Sequence, residues 1–256
     1  MLLTIDIGNS NVVIGCLNEE YETIKQFRMV TDLKKTEDEY AAGMQAILLH
    51  NGIDGKKFSG AIICSVVPPL TDIFKIAVER LTGCNALVVG TGVKTGLSIM
   101  IENPASLGSD LVAVSVAAMV EYPLPAIVID MGTATTFSVI NKEGAFCGGS
   151  IMAGVGLSLN ALTNGTAQLP AIDLTQPPKV CGTNTVDCMS SGVIYGAASM
   201  VDGMIDRLEE ELKEQCTVIA TGGIAKLVVP HCKHEITLND DLLLQGLADL
   251  YYRNKK

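Results

Sequence analysis

The sequence predicts an α/β protein built from two copies of one domain, because one strand–turn–strand motif occurs in each half of the chain. The first copy has apolar runs at residues 2–5 and 12–17, and the second has them at residues 126–129 and 137–140. The turns between these runs read Asp6-Ile7-Gly8-Asn9-Ser10-Asn11 and Asp130-Met131-Gly132-Thr133-Ala134-Thr135. Short apolar runs bounded by turn residues are typical of buried strands, so we interpret the chain as an internal duplication.

The segments around these motifs alternate between helix and strand, which predicts mixed sheets with helices packed against them. A capping box of Thr36 and Glu39 indicates the start of a helix whose apolar positions include Tyr40 and Leu48. The other predicted elements are a buried strand at residues 62–67 ended by two prolines, and helices at residues 71–81, from 110, from 185 nearly to 215, and at about 241–252.

Prolines at positions 123 and 125 indicate a hinge at residues 121–125, because proline ends the preceding helix. We therefore expect an N-terminal domain at residues 1–122 with the first motif and a C-terminal domain at residues 123–256 with the second. The last helix is a candidate to pack back on the first domain. With 48% apolar residues, the chain has ample material for two cores.

Each turn has the chemistry of a nucleoside triphosphate site. A carboxylate at the end of a buried strand holds a hydrated metal ion, and the exposed N–H groups of a glycine turn meet phosphate oxygens. Either turn alone fits an ordinary Asp-Gly hairpin, but the duplication favours a nucleotide cleft between the two domains. A third element, the turn Thr221-Gly222-Gly223 after a strand at residues 218–220, would let backbone lie flat against a base.

Charge and hydropathy exclude several classes of function. A net charge of −10 with 18 basic residues argues against nucleic-acid binding, which requires a basic patch. No apolar run reaches the roughly 18 to 20 residues that span a bilayer. The first strand follows no basic segment of the secretory type, so we expect a cytoplasmic protein with no membrane partner.

The cysteines and histidines do not indicate a metal centre. The eight cysteines lack C-x-x-C spacing and are interpreted as reduced, mostly buried thiols. The run His231-Cys232-Lys233-His234 lacks a second cluster of ligands, so we interpret it as a solvated loop.

The most chemically suggestive segment lies between the halves, at Glu102-Asn103-Pro104-Ala105-Ser106-Leu107-Gly108-Ser109-Asp110-Leu111. Gly108 and Ser109 lead into a helix whose first turn contains Asp110, where the helix dipole favours an ionised carboxylate. Such a carboxylate near an alcohol accepts its proton as the alcohol attacks phosphorus. Taken alone, the segment also fits a plain aspartate at a helix start.

The three turns resemble those of the actin-like ATPase superfamily, with its ribonuclease H-like fold, and the whole chain resembles the type III pantothenate kinases. The ordered matches are Asp6-x-Gly8-Asn9-Ser10, Arg28 with Thr31-Asp32 and Thr36-x-Asp38-Glu39-Tyr40, Ser65-Val66-Val67-Pro68-Pro69, Val93-Lys94-Thr95-Gly96-Leu97, Asn103-Pro104, Gly108-x-Asp110, Asp130-x-Gly132-Thr133-Ala134-x-Thr136, Gly148-Gly149-x-Ile151 and Gly182-x-Asn184-Thr185.

This resemblance implies an enzyme that transfers the γ-phosphate of ATP to the primary hydroxyl of pantothenate. The product would be 4′-phosphopantothenate, made in the first step of coenzyme A synthesis. The resemblance also implies a homodimer that requires Mg²⁺ and a monovalent cation, K⁺ or NH₄⁺.

The resemblance also implies a role for each matched residue. Asp110 would be the general base, Asp6 would bind Mg²⁺, and Asp130 would bind the monovalent cation. The implied ATP-binding residues are Asp6, Ile7, Gly8, Asn9, Ser10, Asn11, Val12, Val13 and Thr133. The implied acceptor-binding residues are Ile101, Gly108, Ser109, Asp110, Leu111 and Thr185.

The chain departs from the family pattern on the acceptor side. The family usually has Gly-Ala-Asp-Arg where this chain has Ser109 and Leu111, a tyrosine where it has Ile101, and a proline where it has Ala153. Loss of a charge-assisted contact to a carboxylate costs about 2–5 kcal/mol of binding.

Three interpretations of these departures stay open. The first is a divergent pantothenate kinase in which another cation, Lys94 or Lys179, replaces the missing arginine. The second is a related kinase for a different small alcohol. The third is a nucleotide-binding regulatory protein, against which the retained Asp110 argues.

Overall fold

The structure is a computed structural model that describes residues 1–177 and 179–255. Its strands are β1 Leu2–Ile7, β2 Asn11–Leu17, β3 Thr23–Val30, β4 Gly60–Ser65, β5 Ala86–Val88, β6 Ser98–Ile99, β7 Ala126–Met131, β8 Ala134–Ile140, β9 Ala145–Ala153, β10 Thr217–Thr221 and β11 Thr237–Leu238. Its α-helices are α1 Glu37–His50, α2 Pro68–Thr82, α3 Ser109–Glu121, α4 Val155–Asn164, α5 Thr185–Leu212, α6 Ala225–Val228 and α7 Leu242–Asn254. No helix within these described ranges is long and apolar enough to span a bilayer.

The chain divides into two compact units, each with one sheet. Unit 1 contains residues 1–97 and 102–120 and the chain from Asp241 onward, and unit 2 contains residues 98–101 and 121–240. Two segments therefore cross a simple division of the chain near residue 122. Strand β6 pairs with β9 of unit 2, and helix α7 packs against β1 and β4 of unit 1.

Both units repeat one strand arrangement, which confirms the duplicated α/β fold expected from the sequence. The order β3-β2-β1-β4-β5 in unit 1 matches β9-β8-β7-β10-β11 in unit 2, where β6 is added beside β9. In each unit three antiparallel strands precede two that run parallel to the first. Each unit also has a register shift between its second and third strands.

Unit 1 buries one face of its sheet under α1 and α2. Side chains such as Ile5 pack with Tyr40 of α1 and Phe74 of α2, because alternate residues of a strand share a face. Helix α1 has the predicted capping box, in which the Thr36 hydroxyl accepts a hydrogen bond from the Glu39 N–H and the Glu39 carboxylate accepts one from the Thr36 N–H. The N–H groups of Thr36 and Glu39 at the helix start therefore have hydrogen-bond partners within the helix start itself.

The opposite face of this sheet packs against α7. Gly15 of β2 leaves room for Leu244, because a Cβ at this position would lie 2.8 Å from Leu244 Cδ1. Helix α7 also meets α3, where Gly246 lies against the backbone of Ala113. The sheet that opens the chain is therefore covered by the last helix.

Unit 2 has its core between its sheet and α5. Ile127 and Ile129 of β7 and Val218 of β10 pack with Ile194 and Val201 of the helix. Helix α5 spans 28 residues and begins at the predicted position.

Several elements differ from the sequence-based expectation. Helix α2 begins at Pro68 rather than at residue 71, because proline is well tolerated in the first helical turn, where its missing N–H has no partner to lose. Strands β3 and β9 and helix α4 were not expected. Strand β3 has mostly exposed or half-exposed side chains, so it carries no clear apolar pattern.

We expect Gly246→Ala to lower the free energy of unfolding by about 1–3 kcal/mol, because the added Cβ would collide with the Ala113 carbonyl and overpack the α3–α7 contact. Gly156→Ala in α4 is the control, since nothing lies within 4 Å of an added Cβ there. Urea unfolding with linear extrapolation measures the free energy of unfolding of both variants. Equal effects of the two changes would contradict this account of the contact.

Candidate active site

The first predicted turn lies at the end of β1 in unit 1. The half-buried Asp6 ends the strand, and the Gly8 N–H donates to the Asn11 carbonyl at 3.0 Å. Residues 9–11 are exposed, as a turn that presents polar groups to a ligand requires. Gly8 is suited to this turn, because a Cβ there would lie only 3.0 Å from the Asn11 oxygen.

A neighbouring loop holds this turn in shape. The Thr31 N–H donates to the Ser10 carbonyl at 3.1 Å, and the Thr31 hydroxyl donates to the Gly8 carbonyl at 2.6 Å. The buried Tyr40 hydroxyl in turn accepts from the Asp32 N–H and donates to the Asp32 carbonyl, both at 2.9 Å. The sequence motif contained these residues, but only the structure shows their contacts with the turn.

The second predicted turn lies at the end of β7 in unit 2 and is one residue shorter. Asp130 pairs across the hairpin with Thr136, whereas Asp6 pairs with Val13. The Gly132 N–H donates to the Ala134 carbonyl at 3.0 Å. The two turns therefore share their strand context but differ in loop length.

Gly154, the residue before α4, is hydrogen-bonded to the second turn. Its N–H donates to the Thr133 carbonyl at 3.1 Å. A Cβ at this position would collide with the carbonyl oxygens of Gly132 and Thr133. Ala153, which replaces the family's proline, ends β9 immediately before this contact.

The surroundings of Asp130 fit a hard monovalent cation. Directly paired residues on neighbouring strands share a sheet face, so Asp130 lies between Thr136 of β8 and Thr221 of β10. The Thr136 hydroxyl is buried and has no hydrogen-bond partner among the described residues. An orphaned hydroxyl beside a carboxylate supplies the oxygen ligands that such cations prefer.

The third predicted turn packs directly against Asp130. Gly222 has a φ of +93°, and a Cβ there would lie 2.6 Å from Asp130 Oδ1 and 2.7 Å from the Met131 carbonyl. The Ile224 N–H also donates to the Met131 carbonyl at 3.3 Å. Glycine at 222 thus permits both the backbone conformation and the close approach.

Asp110 lies in the first turn of α3, as the sequence predicts. Its Oδ1 accepts the N–H of Leu111 at 2.9 Å, and the residue is half-buried. Burial raises the pKa of this carboxyl above its ordinary value, although the backbone hydrogen bonds act in the opposite direction. A Cβ at Gly108 would collide with Oδ1, so glycine here lets the Asp110 carboxylate keep its observed position.

Ser109 joins this helix start to the end of β4. Its hydroxyl donates to the Ser65 carbonyl at 3.0 Å and accepts the Ser65 N–H at 3.2 Å. Its Oγ also lies 3.2 Å from Sγ of Cys64. Burial raises the pKa of the Cys64 thiol, and the charges of Asp6 and Asp110 raise it further. The neutral thiol therefore lies near both carboxylates.

Sequence reasoning grouped Cys64 with the other buried thiols and missed this position. All eight cysteines are free thiols, but only Cys16 and Cys64 are buried and Cys181 and Cys188 are exposed, which corrects the expectation that most are buried. No local sequence signal marks the position of Cys64, because it becomes the β4 partner of Asp6 only in the folded sheet.

The acceptor-side residues implied by the sequence lie in both units. Gly108, Ser109 and Leu111 belong to unit 1, whereas Ile101 and Thr185 belong to unit 2. Thr185 is the first residue of α5 and is exposed at the rim of a cavity of about 980 Å³ within unit 2. Ile101 and Leu111 are half-buried.

The His231–His234 segment is tied to α5 rather than solvated. The His231 ring packs on Tyr195 with centroids 4.7 Å apart, and the Lys233 N–H donates to the Asp202 carboxylate at 2.9 Å. Within residues 1–177 and 179–255, no group of three or more His, Cys, Asp or Glu side chains is arranged to bind a metal.

The duplicated unit, with an aspartate and a glycine turn after its first strand, defines an actin-like ATPase fold. The structure is similar to component A of (R)-2-hydroxyglutaryl-CoA dehydratase from Acidaminococcus fermentans, with a TM-score of 0.60 and 16% identity over 99% of this chain and 98% of that one. It is similar to a protein from Campylobacter jejuni, described provisionally as a Baf family transcriptional activator, with a TM-score of 0.62 and 18% identity over 98% of each chain. At such low identity these likenesses establish the fold alone.

The sequence comparisons are more specific. The family model for type III pantothenate kinase matches residues 2–207. Proteins named type III pantothenate kinase are 38% identical over 255 residues in Pelobacter propionicus, covering 100% of both chains, and 41% identical over 254 residues in Bacillus cytotoxicus, covering 99% of this chain and 97% of the other. The chain belongs to the type III pantothenate kinase family.

We expect Asp110→Asn to lower turnover by about 10²-fold or more while leaving ATP affinity near normal, because the amide cannot accept a proton. The folded state holds the Asp110 proton more tightly than the unfolded state, so ionisation costs stability as the pH rises through the raised pKa. The asparagine variant should therefore melt no lower than the native protein at neutral pH. Steady-state kinetics, calorimetry and thermal melting measure these effects, and undiminished turnover would exclude the role of base.

Proposed function

We propose that this protein phosphorylates the primary hydroxyl of pantothenate with ATP, the first step of coenzyme A synthesis. Family membership supports the substrate, and the half-buried Asp110 at the start of α3 carries the chemistry. The hydroxyl oxygen forms a bond to the γ-phosphorus as the bond from that phosphorus to the β-phosphate oxygen breaks. The hydroxyl proton passes to Asp110, and 4′-phosphopantothenate and ADP leave.

We assign the nucleotide to the two glycine turns. Residues 9–11 are exposed, and we assign their backbone N–H groups to the phosphate oxygens. Thr133 of the second turn is assigned a further contact with ATP. Asp6 would hold Mg²⁺, which would supply positive charge to the phosphates. Asp130 and Thr136 would hold a K⁺ or NH₄⁺ ion, a role supported by the Thr136 hydroxyl, which has no hydrogen-bond partner among the described residues. The protein supplies position and electrostatics, which account for most phosphoryl-transfer catalysis.

We expect Asp6→Ala and Thr133→Ala each to weaken ATP binding, since each removes a group from one of the two turns. Asp130→Ala should abolish activation by K⁺, because the cation loses its charged ligand. Isothermal titration with ATP and Mg²⁺, and turnover measured with and without K⁺, test these roles. Native ATP affinity in the Thr133 variant would exclude the second turn from nucleotide binding.

The acceptor side supports a second candidate, a kinase for a differently charged alcohol. Leu111 directly follows the base, and an apolar side chain there desolvates a carboxylate rather than neutralising it. Ile101 has no hydroxyl to donate. Lys94 is exposed, and its backbone is fixed by hydrogen bonds to Asn254, which leaves its ammonium as one candidate replacement for the missing arginine.

We expect the native protein to release ADP with pantothenate, but with a Michaelis constant well above those of relatives that carry arginine and tyrosine. The double change Ile101→Tyr with Leu111→Arg should lower it at least about tenfold, by restoring a charge-assisted contact. A coupled ADP assay and mass detection of the product measure this. Ordinary pantothenate kinetics in the native protein would mean that another cation binds the carboxylate. ATP binding without turnover on any alcohol would favour a regulatory protein.

We further propose that the protein forms a homodimer through an apolar face of unit 2, formed by the outward side chains of β9, α4 and the start of α5. Ile151 is 75% exposed and Leu157 is 47% exposed, and both lie on this face. Residues 144–201 contain only three charged side chains, at positions 173, 179 and 187. Large apolar surfaces that lack charge are typical of interfaces between identical chains.

We expect Leu157→Asp to convert a dimer to monomers, because a charge buried in an apolar interface has no partner. Leu49→Asp on α1 is the matched control, since Leu49 is 58% exposed on unit 1. Sedimentation velocity at several concentrations distinguishes the two states. A native protein that sediments as a monomer, or a Leu157 variant that remains dimeric, would count against this interface.

A further inference from the structure

The Ser109 hydroxyl is directed at the end of β4 rather than at solvent. Its three polar contacts are the carbonyl and N–H of Ser65, at 3.0 and 3.2 Å, and the Cys64 thiol at 3.2 Å. Because Ser109 is the first residue of α3, these contacts fix the helix start against the strand. Asp110 follows immediately, with its carboxylate held by the Leu111 N–H.

Cys64 extends this connection to the other carboxylate. It is the register partner of Asp6 in the parallel β1–β4 pair, so the two side chains share a sheet face. The thiol is fully buried, and the charge of the nearby Asp6 carboxylate adds to the effect of burial in raising its pKa. Strand register therefore joins Asp6 to Cys64, a hydrogen bond joins Cys64 to Ser109, and the chain itself joins Ser109 to Asp110, so the four residues form a row.

Such a row matters because phosphoryl transfer requires the metal-binding carboxylate and the base at a set separation. A misplacement of about 1 Å costs up to about 10²-fold in rate.

We propose that the Cys64–Ser109 pair is a positioning device that sets the separation of the Asp6 and Asp110 carboxylates. The Ser109 hydroxyl, which the family resemblance assigned to the acceptor, is directed at β4 instead, so the pair acts through the two carboxylates. The inference deepens the proposed kinase function and rests on it, because the two carboxylates have their roles in that reaction.

The kinetic test compares Ser109→Ala, Cys64→Ala and the double variant. Each single change should lower kcat about tenfold while leaving the Kd for ATP and the KM for pantothenate within twofold of native. The double variant should lose little more than either single variant, because the two side chains act as one unit. Ser109→Thr, which keeps the hydroxyl, should recover most of the lost kcat.

Ser59→Ala is the matched control, since the Ser59 hydroxyl also donates to a backbone carbonyl, that of Met1 at 3.3 Å, outside the site. A structural role alone would lower the melting temperature of both serine variants without affecting kcat below that temperature. Native kcat in Ser109→Ala, or losses that multiply to about 10²-fold in the double variant, would overturn the proposal.

Hydrogen exchange separates this inference from the proposed function. In Ser109→Ala, the Val112 N–H, which donates to the Gly108 carbonyl at 3.0 Å, should exchange faster than in the native protein and in Ser59→Ala. Unchanged exchange would refute the positioning device. If the native protein does not phosphorylate pantothenate, the proposed function fails, while the exchange result still decides whether the pair holds the helix start.

Discussion

The candidate site depends on two parallel strand pairs, β1 with β4 in unit 1 and β7 with β10 in unit 2. This register places Asp6 beside Cys64 in unit 1 and Asp130 beside Thr221 in unit 2. The carboxyl ends of parallel strands meet at one sheet edge, where ligands of open α/β sheets bind. A slip of one residue would turn both aspartates to the opposite face, so the buried strands that specify the register also specify the chemistry.

Close contacts then position the remaining groups within each unit. Gly108, Gly154 and Gly222 each lie where a Cβ would meet an oxygen atom of the site. Burial of Asp110 raises its pKa and makes it a stronger base than an exposed aspartate. Ionising this half-buried carboxyl lowers the stability of the folded protein. Active sites commonly lose stability in this way in return for activity. Each turn is closed by a local hydrogen bond, from Gly8 to Asn11 and from Gly132 to Ala134, whereas the hydrogen bonds of Thr31, Gly154 and Ser109 join segments far apart in the chain.

Much of the fold and part of the site could be predicted from residues near one another in sequence. The duplicated turns, the capping box at Thr36 and the helix start at Asp110 rely on contacts within a few residues, so their signals are local. Strand β3 could not be predicted, because its side chains are largely exposed and its place is set by pairing with β2. The contacts of Thr31 and Cys64 with the first motif likewise depend on pairing between distant segments.

The sequence by itself determined the duplicated architecture, because apolar periodicity and turn chemistry are local properties of the chain. Its ordered motifs indicated the family and the aspartates that we propose for the site. The tertiary structure alone decided which side chains adjoin those residues. Cys64 and Ser109 are 45 residues apart and touch only because β4 and the start of α3 lie together. Thr136 was present in the motif, but its orphaned hydroxyl beside Asp130 became visible only in the folded sheet, since burial and hydrogen-bond partners are properties of packing.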